Sequence, residues 1–118
     1  LILLRSGDSL ELKLELFDED TNSSFSLQGW TAGAYLSEDT GAGSSPFISL
    51  QAPFGICQGD NDGNSLCCGS EADNIIRLFI PKGILNLEGK YYFLSIKIEN
   101  GNIRKTIFFS EVFIDKNV

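Results

Sequence analysis

The chain of 118 residues has no histidine, no methionine, and only three prolines and three cysteines. Without histidine, Ser-His-Asp and Cys-His nucleophilic catalysis are excluded in their usual form, as is a zinc site built with imidazole. The three cysteines do not replace it, because Cys67 and Cys68 are adjacent and such neighbours are poor joint ligands for one zinc ion. No apolar run approaches the ~20 residues of a membrane helix, so membrane insertion is not expected. The start "LILLR" is too short for the apolar region of a signal peptide, and nothing basic precedes it. No G-x-G-x-x-G or P-loop order appears among the glycines, which leaves phosphate binding without support. Bases are scarce: nine Lys and Arg stand against sixteen Asp and Glu, a net charge of −7. Nucleic acid, whose phosphates demand a basic face, is therefore not an expected partner.

The acids and bases are unevenly spread. Residues 1–73 hold two bases against twelve acids, and residues 74–118 hold seven against four. The length suits one domain, 1–118, with an ordinary hydrophobic core. The odd cysteine count favours a reduced compartment. A Cys57–Cys67 or Cys57–Cys68 bridge across the intervening loop is the alternative.

What the chain does have is alternation. Leu10, Leu12, Leu14 and Leu16 alternate with Ser9, Glu11, Lys13 and Glu15, the period of a strand with one buried face. Trp30, Ala32, Ala34 and Leu36 repeat the pattern, and Trp30 is expected in the core. "SGD" at 6–8 separates residues 1–5 as a short strand or arm, and further strands are expected at 47–50 and 74–81. Between the last two lies a Gly-, Asp- and Asn-rich insertion, 52–73, holding all three cysteines. "DEDTNSS" at 18–24 and "EDTGAGSSP" at 38–46 are expected loops, and "KGILNLEG" at 82–89 a turn.

The most regular stretch is "LEGKYYFLSIKIENGNIRKTIFF", residues 87–109. Asn100-Gly101 suits a type I′ turn. That turn sets Ile98 opposite Ile103, Leu94 opposite Ile107 and Tyr92 opposite Phe109 on the inner face, with Phe93 opposite Phe108 on the outer. The expected core is then Leu10, Leu12, Leu14, Trp30, Leu36, Tyr92, Leu94, Ile96 and Phe109. About seven strands and no amphipathic helix give an all-β fold, an antiparallel immunoglobulin-like β-sandwich, with a small barrel as the alternative.

Two acidic groups invite a test for chemistry. In "DNDGNSLCCGSE", Asp60, Asp62, Asn64 and Glu71 imitate a calcium loop. Its sixth residue is Ser65 where glycine is required, so a polar surface loop is the favoured reading and no metal is expected. The "DED" at 18–20 has no aromatic platform to make a glycosidase pair. No cofactor is expected.

Aromatics crowd the last third. Tyr91, Phe93 and Phe108 cannot share the inner face with Tyr92 and Phe109, so a covering loop or a partner is needed. The apolar Leu1, Ile2, Leu3 and Leu4 are able to add to a neighbouring sheet. Leu1 to Leu4, Phe93 and Phe108 are the partner-contact candidates.

An ordered set of short motifs carries a resemblance. Arg5-Ser-Gly-Asp-Ser9, the acidic turn Asp18 to Asp20, Leu27-Gln-Gly29, Gly89-Lys-Tyr-Tyr92 and the Asn100-Gly101 hairpin follow one another along the chain. Together they resemble an immunoglobulin-like module of tailed-phage virions, similar to the N-terminal domain of phage baseplate upper proteins and to related tail and neck proteins. The resemblance leaves out residues 39–73. It implies a non-enzymatic structural role in tail, baseplate, neck or capsid, assembly in the host bacterial cytoplasm, and contacts with other virion proteins or copies of itself. It implies no catalytic or binding residues. The alternative function is a ligand- or carbohydrate-binding adhesin module using the acidic loop, with or without calcium.

Overall fold

A computed structural model describes residues 1–38, 46–86 and 89–115. Its regular elements are nine strands: β1 (Ile2–Arg5), β2 (Leu10–Glu15), β3 (Thr31–Ser37), β4 (Ile48–Pro53), β5 (Ile56–Gly59), β6 (Ser65–Cys68), β7 (Ile75–Ile80), β8 (Lys90–Asn100) and β9 (Ile103–Asp115). They form an all-β sandwich of two sheets, one in the order β1-β9-β8-β3-β4 and the other β2-β7-β6-β5. All pairings are antiparallel except β1 with β9, which run parallel.

The leucine alternation of β2 does what period two requires. Leu10, Leu12 and Leu14 pair with Ile80, Leu78 and Ile76 of β7, and Leu66 and Cys68 of β6 continue the same inner rows. In the facing sheet Ala32, Ala34 and Leu36 stand between Ile48, Leu50 and Ala52 of β4 and Leu94, Ile96 and Ile98 of β8. These residues bury nearly completely, apart from Leu12 and Leu14, which are half-buried against the core. Leu27 and Leu85, outside the strands, are fully buried as well. Trp30 is half-buried and packs on this core, its ring 5.7 Å from that of Phe25.

Three expectations need correction. First, the insertion 52–73 is not one loop. β4 runs on to Pro53, and Ile56–Gly59 and Ser65–Cys68 form a hairpin that extends the second sheet, so the described residues hold nine strands where alternation shows about seven. Second, residues 2–5 are already used by their own chain as β1, on the edge beside β9. Third, the β8–β9 register differs. Asn100 pairs with Ile103, so the loop residues are Gly101 and Asn102, and Gly101 has φ +59° while Asn102 is not left-handed. A glycine at the first of two loop positions is the preference of a type II′ turn.

The same hairpin carries a β-bulge. Lys97 pairs with Thr106 and Ile96 with Phe108, which leaves Ile107 as an extra residue on β9. Ile107 and Phe108 are consecutive yet both pack against the core. From there the alternation of β9 is reversed relative to the expected one: Val112 and Ile114 are buried, and Phe109 is 58% exposed. Phe109 is therefore not core, and Phe108 is not on the outer face. Phe93 has Phe109 as its outer-face companion instead, the rings stacked at 6.3 Å. The connection at 38–46 falls largely on 39–45, and the turn at 82–89 includes 87–88; both stretches lie outside the described residues.

Candidate interaction surface

The outer face of the five-stranded sheet is built by the residues that alternate with the core. Leu3 of β1 pairs with Phe113 of β9, which pairs with Tyr91 of β8. The next rows are Glu111 with Phe93, Phe109 with Ser95, Thr106 with Lys97 and Arg104 with Glu99. One end of the face is thus apolar and the other charged. Tyr91 and Phe113 rings lie 4.7 Å apart. Leu3, Tyr91 and Phe109 are 64%, 47% and 58% exposed, and Leu1, just before β1, is 80% exposed. An antiparallel sheet with one face on a core usually turns polar residues to water on the other. Here four aromatic rings and two leucines occupy that place, a contiguous patch of the kind that marks interaction sites.

Toward the charged end the face is closed by local contacts. The Tyr35 ring lies flat on Gly33, where a Cβ would meet the ring within 3 Å, so only glycine leaves it room. Gln51 Nε2 donates to Tyr35 Oη at 3.1 Å, and Lys97 Nζ stands 5.7 Å above the ring centroid, within cation–π range. Arg104 Nε donates to Glu99 across the hairpin.

Of the partner-contact candidates, Leu1, Leu3 and Phe93 lie on this face; Ile2, Leu4 and Phe108 turn inward and pack on the core. Alternation and composition foretell Leu3, Tyr91 and Phe93. They miss Phe109, Phe113 and Glu111, because the bulge inverts their side. A trace of it exists: Ile107-Phe108-Phe109 is an unbroken apolar triplet inside an alternating strand.

Of the calcium candidates, Asp60, Asp62 and Asn64 share the β5–β6 turn, and Glu71 does not join them. Asp60 Oδ1 accepts hydrogen bonds from the Asp62 and Asn64 backbone amides at 2.9 and 3.1 Å, and Oδ2 accepts from Asn64 Nδ2 at 2.8 Å. The Asn64 amide thus turns its nitrogen, not its oxygen, toward the carboxylate, the opposite of a shared cation site. Glu71 reaches away to receive both Nε and Nη2 of Arg77, with Lys13 4.0 Å from it. Among the described residues no group of three or more potential ligands converges on one point. The Asp60 carboxylate instead closes the β5–β6 turn, as an Asx side chain does when it binds backbone amides ahead of it.

These contacts set a pH dependence. Desolvation pushes the Asp60 carboxyl up, but the hydrogen bonds from Asn64 and Asp62 together outweigh it and hold the group below its ordinary value. Glu71 is held down chiefly by its hydrogen bonds from Arg77, against a smaller push upward from burial. A depressed carboxylate stabilises the fold above its unfolded-state pKa and loses that contribution as pH falls through its folded one. Acidification through the folded-state pKa of Asp60 should therefore loosen the β5–β6 turn. Shifts of the Asp62 and Asn64 amides that stay flat from about pH 5 to about pH 2 would contradict this.

The acidic turn at 18–20 borders an open cleft of about 590 Å³, floored by Leu16, Phe25, Ile98 and Ile107, with Lys105 opposite. Asp18 is committed to the turn, accepting from the Asp20 amide at 2.9 Å and from Thr21.

The cysteines depart from the expected reduced state. Cys57 and Cys67 stand directly opposite in the β5–β6 pair and form a disulfide, and Cys68 is a free, buried thiol. Burial raises the Cys68 pKa, and a backbone hydrogen bond at Ala32 only partly opposes it. Compared with family models and with curated proteins, the chain matches none.

Proposed function

We propose that the chain is an immunoglobulin-like, non-enzymatic structural module of a bacteriophage virion, joined to neighbouring virion proteins through the outer face of its five-stranded sheet. The observation that carries the reading is that face: an apolar half built from Leu1, Leu3, Tyr91, Phe93, Phe109 and Phe113 over an otherwise ordinary sandwich. The immunoglobulin-like part is supported by the strand order. Taking β1, β2, β3, β4, β7, β8 and β9 as A, B, C, C′, E, F and G gives A-G-F-C-C′ opposite B-E, with the β5–β6 hairpin completing the second sheet. The virion part is supported by the ordered motifs from Arg5 to Gly101.

The disulfide fits this setting in one sequence of events. In the reducing host cytoplasm the opposed Cys57 and Cys67 remain thiols, and the bridge closes once the particle is released to an oxidising medium. The test is mass spectrometry of gradient-purified particles carrying the gene. Peptides of this chain at a fixed ratio to the major structural proteins are expected. Their absence from particles, with the protein left free in the lysate, refutes the reading.

A further inference from the structure

We infer that the outer face of the five-stranded sheet binds a second copy of this chain about a two-fold axis running along the strands between β8 and β9. The inference rests on the proposed use of this face for docking and names its partner. The first support is area. At ~200 Å² for a large apolar side chain, the exposed fractions of Leu1, Leu3, Tyr91 and Phe109 amount to roughly 500 Å² per copy. Two copies together offer about 1,000 Å² from these side chains alone, the lower limit for a biological interface, before any polar rim is added.

The second support is that the face is complementary to itself. The axis keeps each row at its own height and exchanges β8 with β9. Tyr91 then lies across Phe113 of the second copy, Ser95 across Phe109, Lys97 across Thr106, and Glu99 across Arg104, as the register of the two strands dictates. The apolar Tyr91–Phe113 row meets its own copy, and the within-chain Arg104–Glu99 pair becomes an alternating cluster of four charges. No like charges face each other in these rows. The cost falls on Glu111, which is laid against Phe93 of the second copy and loses water. A basic partner would instead gain from Glu111, so this residue distinguishes the two occupants.

Sedimentation of the purified chain tests the proposal. A reversible dimer is expected by about 100 μM, and Phe109→Asp should weaken it by tenfold or more while leaving the melting temperature of the monomer unchanged. Glu111→Gln should tighten it. Arg104→Glu should weaken it, and adding Glu99→Arg should restore it. A wild-type monomer at that concentration overturns the inference, as does a dimer indifferent to Phe109→Asp or a Glu111→Gln variant that associates less. A monomer still found in particles would refute self-association alone; a dimer absent from particles would refute the virion role and leave this interface standing.

Discussion

Replacing Ile96 with alanine is expected to destabilise the protein by roughly 2–5 kcal/mol, the cost of removing a fully buried aliphatic side chain and leaving a cavity. Ile96 is central in both directions. It sits on the inner face of the middle strand of the larger sheet, between Ala34 of β3 and Phe108 of β9, and none of its surface is exposed. Ala34 stands directly opposite it on β3, so the facing side chain is too small to fill the gap. Ile103→Ala, in the same hairpin but 54% exposed, is the control and should change stability by less than ~0.5 kcal/mol. Urea denaturation of both variants measures the difference. Equal midpoints would mean that β8 does not form the centre of the core.

The second large effect is loss of the Cys57–Cys67 bridge. The two cysteines are ten residues apart in sequence, and closing a loop of that size stabilises a fold by roughly 2–3 kcal/mol through the unfolded chain. Cys57→Ser with Cys67→Ser should therefore lower the melting temperature by roughly 10 °C. The outer strand of the hairpin it closes, β5, is the sheet edge, with all four of its residues exposed, so beyond its ladder with β6 little else holds it. A thiol count checks the starting state. The oxidised native protein should react slowly or not at all with a thiol reagent, show one thiol (Cys68) when unfolded, and show three after reduction. Three thiols in the oxidised, unfolded protein would show that the bridge is not formed.

These two sites mark the limits of what alternation conveys. The rows around Ile96 are readable because every second residue from Tyr92 to Ile98 is apolar and the strand is long enough for the period to stand out. In β5 the period is absent, and in β6 the adjacent Cys67 and Cys68 mask it. Ile56-Cys57-Gln58-Gly59 lies on a sheet edge where both sides meet water, so burial imposes no pattern, and the Asp60 turn resembles a metal loop because both use carboxylates to gather nearby groups. The face assigned to Phe109 fails for a different reason. Placing the loop at 101–102 instead of 100–101 moves each pairing by two residues and leaves every face as expected; the bulge adds a single residue, and that step exchanges core for surface along everything that follows. Four of the six partner-surface side chains, Leu1, Leu3, Tyr91 and Phe93, lie before that step and are legible; Phe109 and Phe113 lie after it and are not.

The parallel pairing of β1 with β9 has a mechanical consequence. Ile2 pairs with Val112 and Arg5 with Asp115, so the first residue of one strand and the last of the other lie at opposite ends of the ladder. A tension drawing residues 2 and 115 apart acts along these strands and loads their hydrogen bonds in shear, all at once. Pulled instead through the β8–β9 turn, the same sheet would peel one bond at a time.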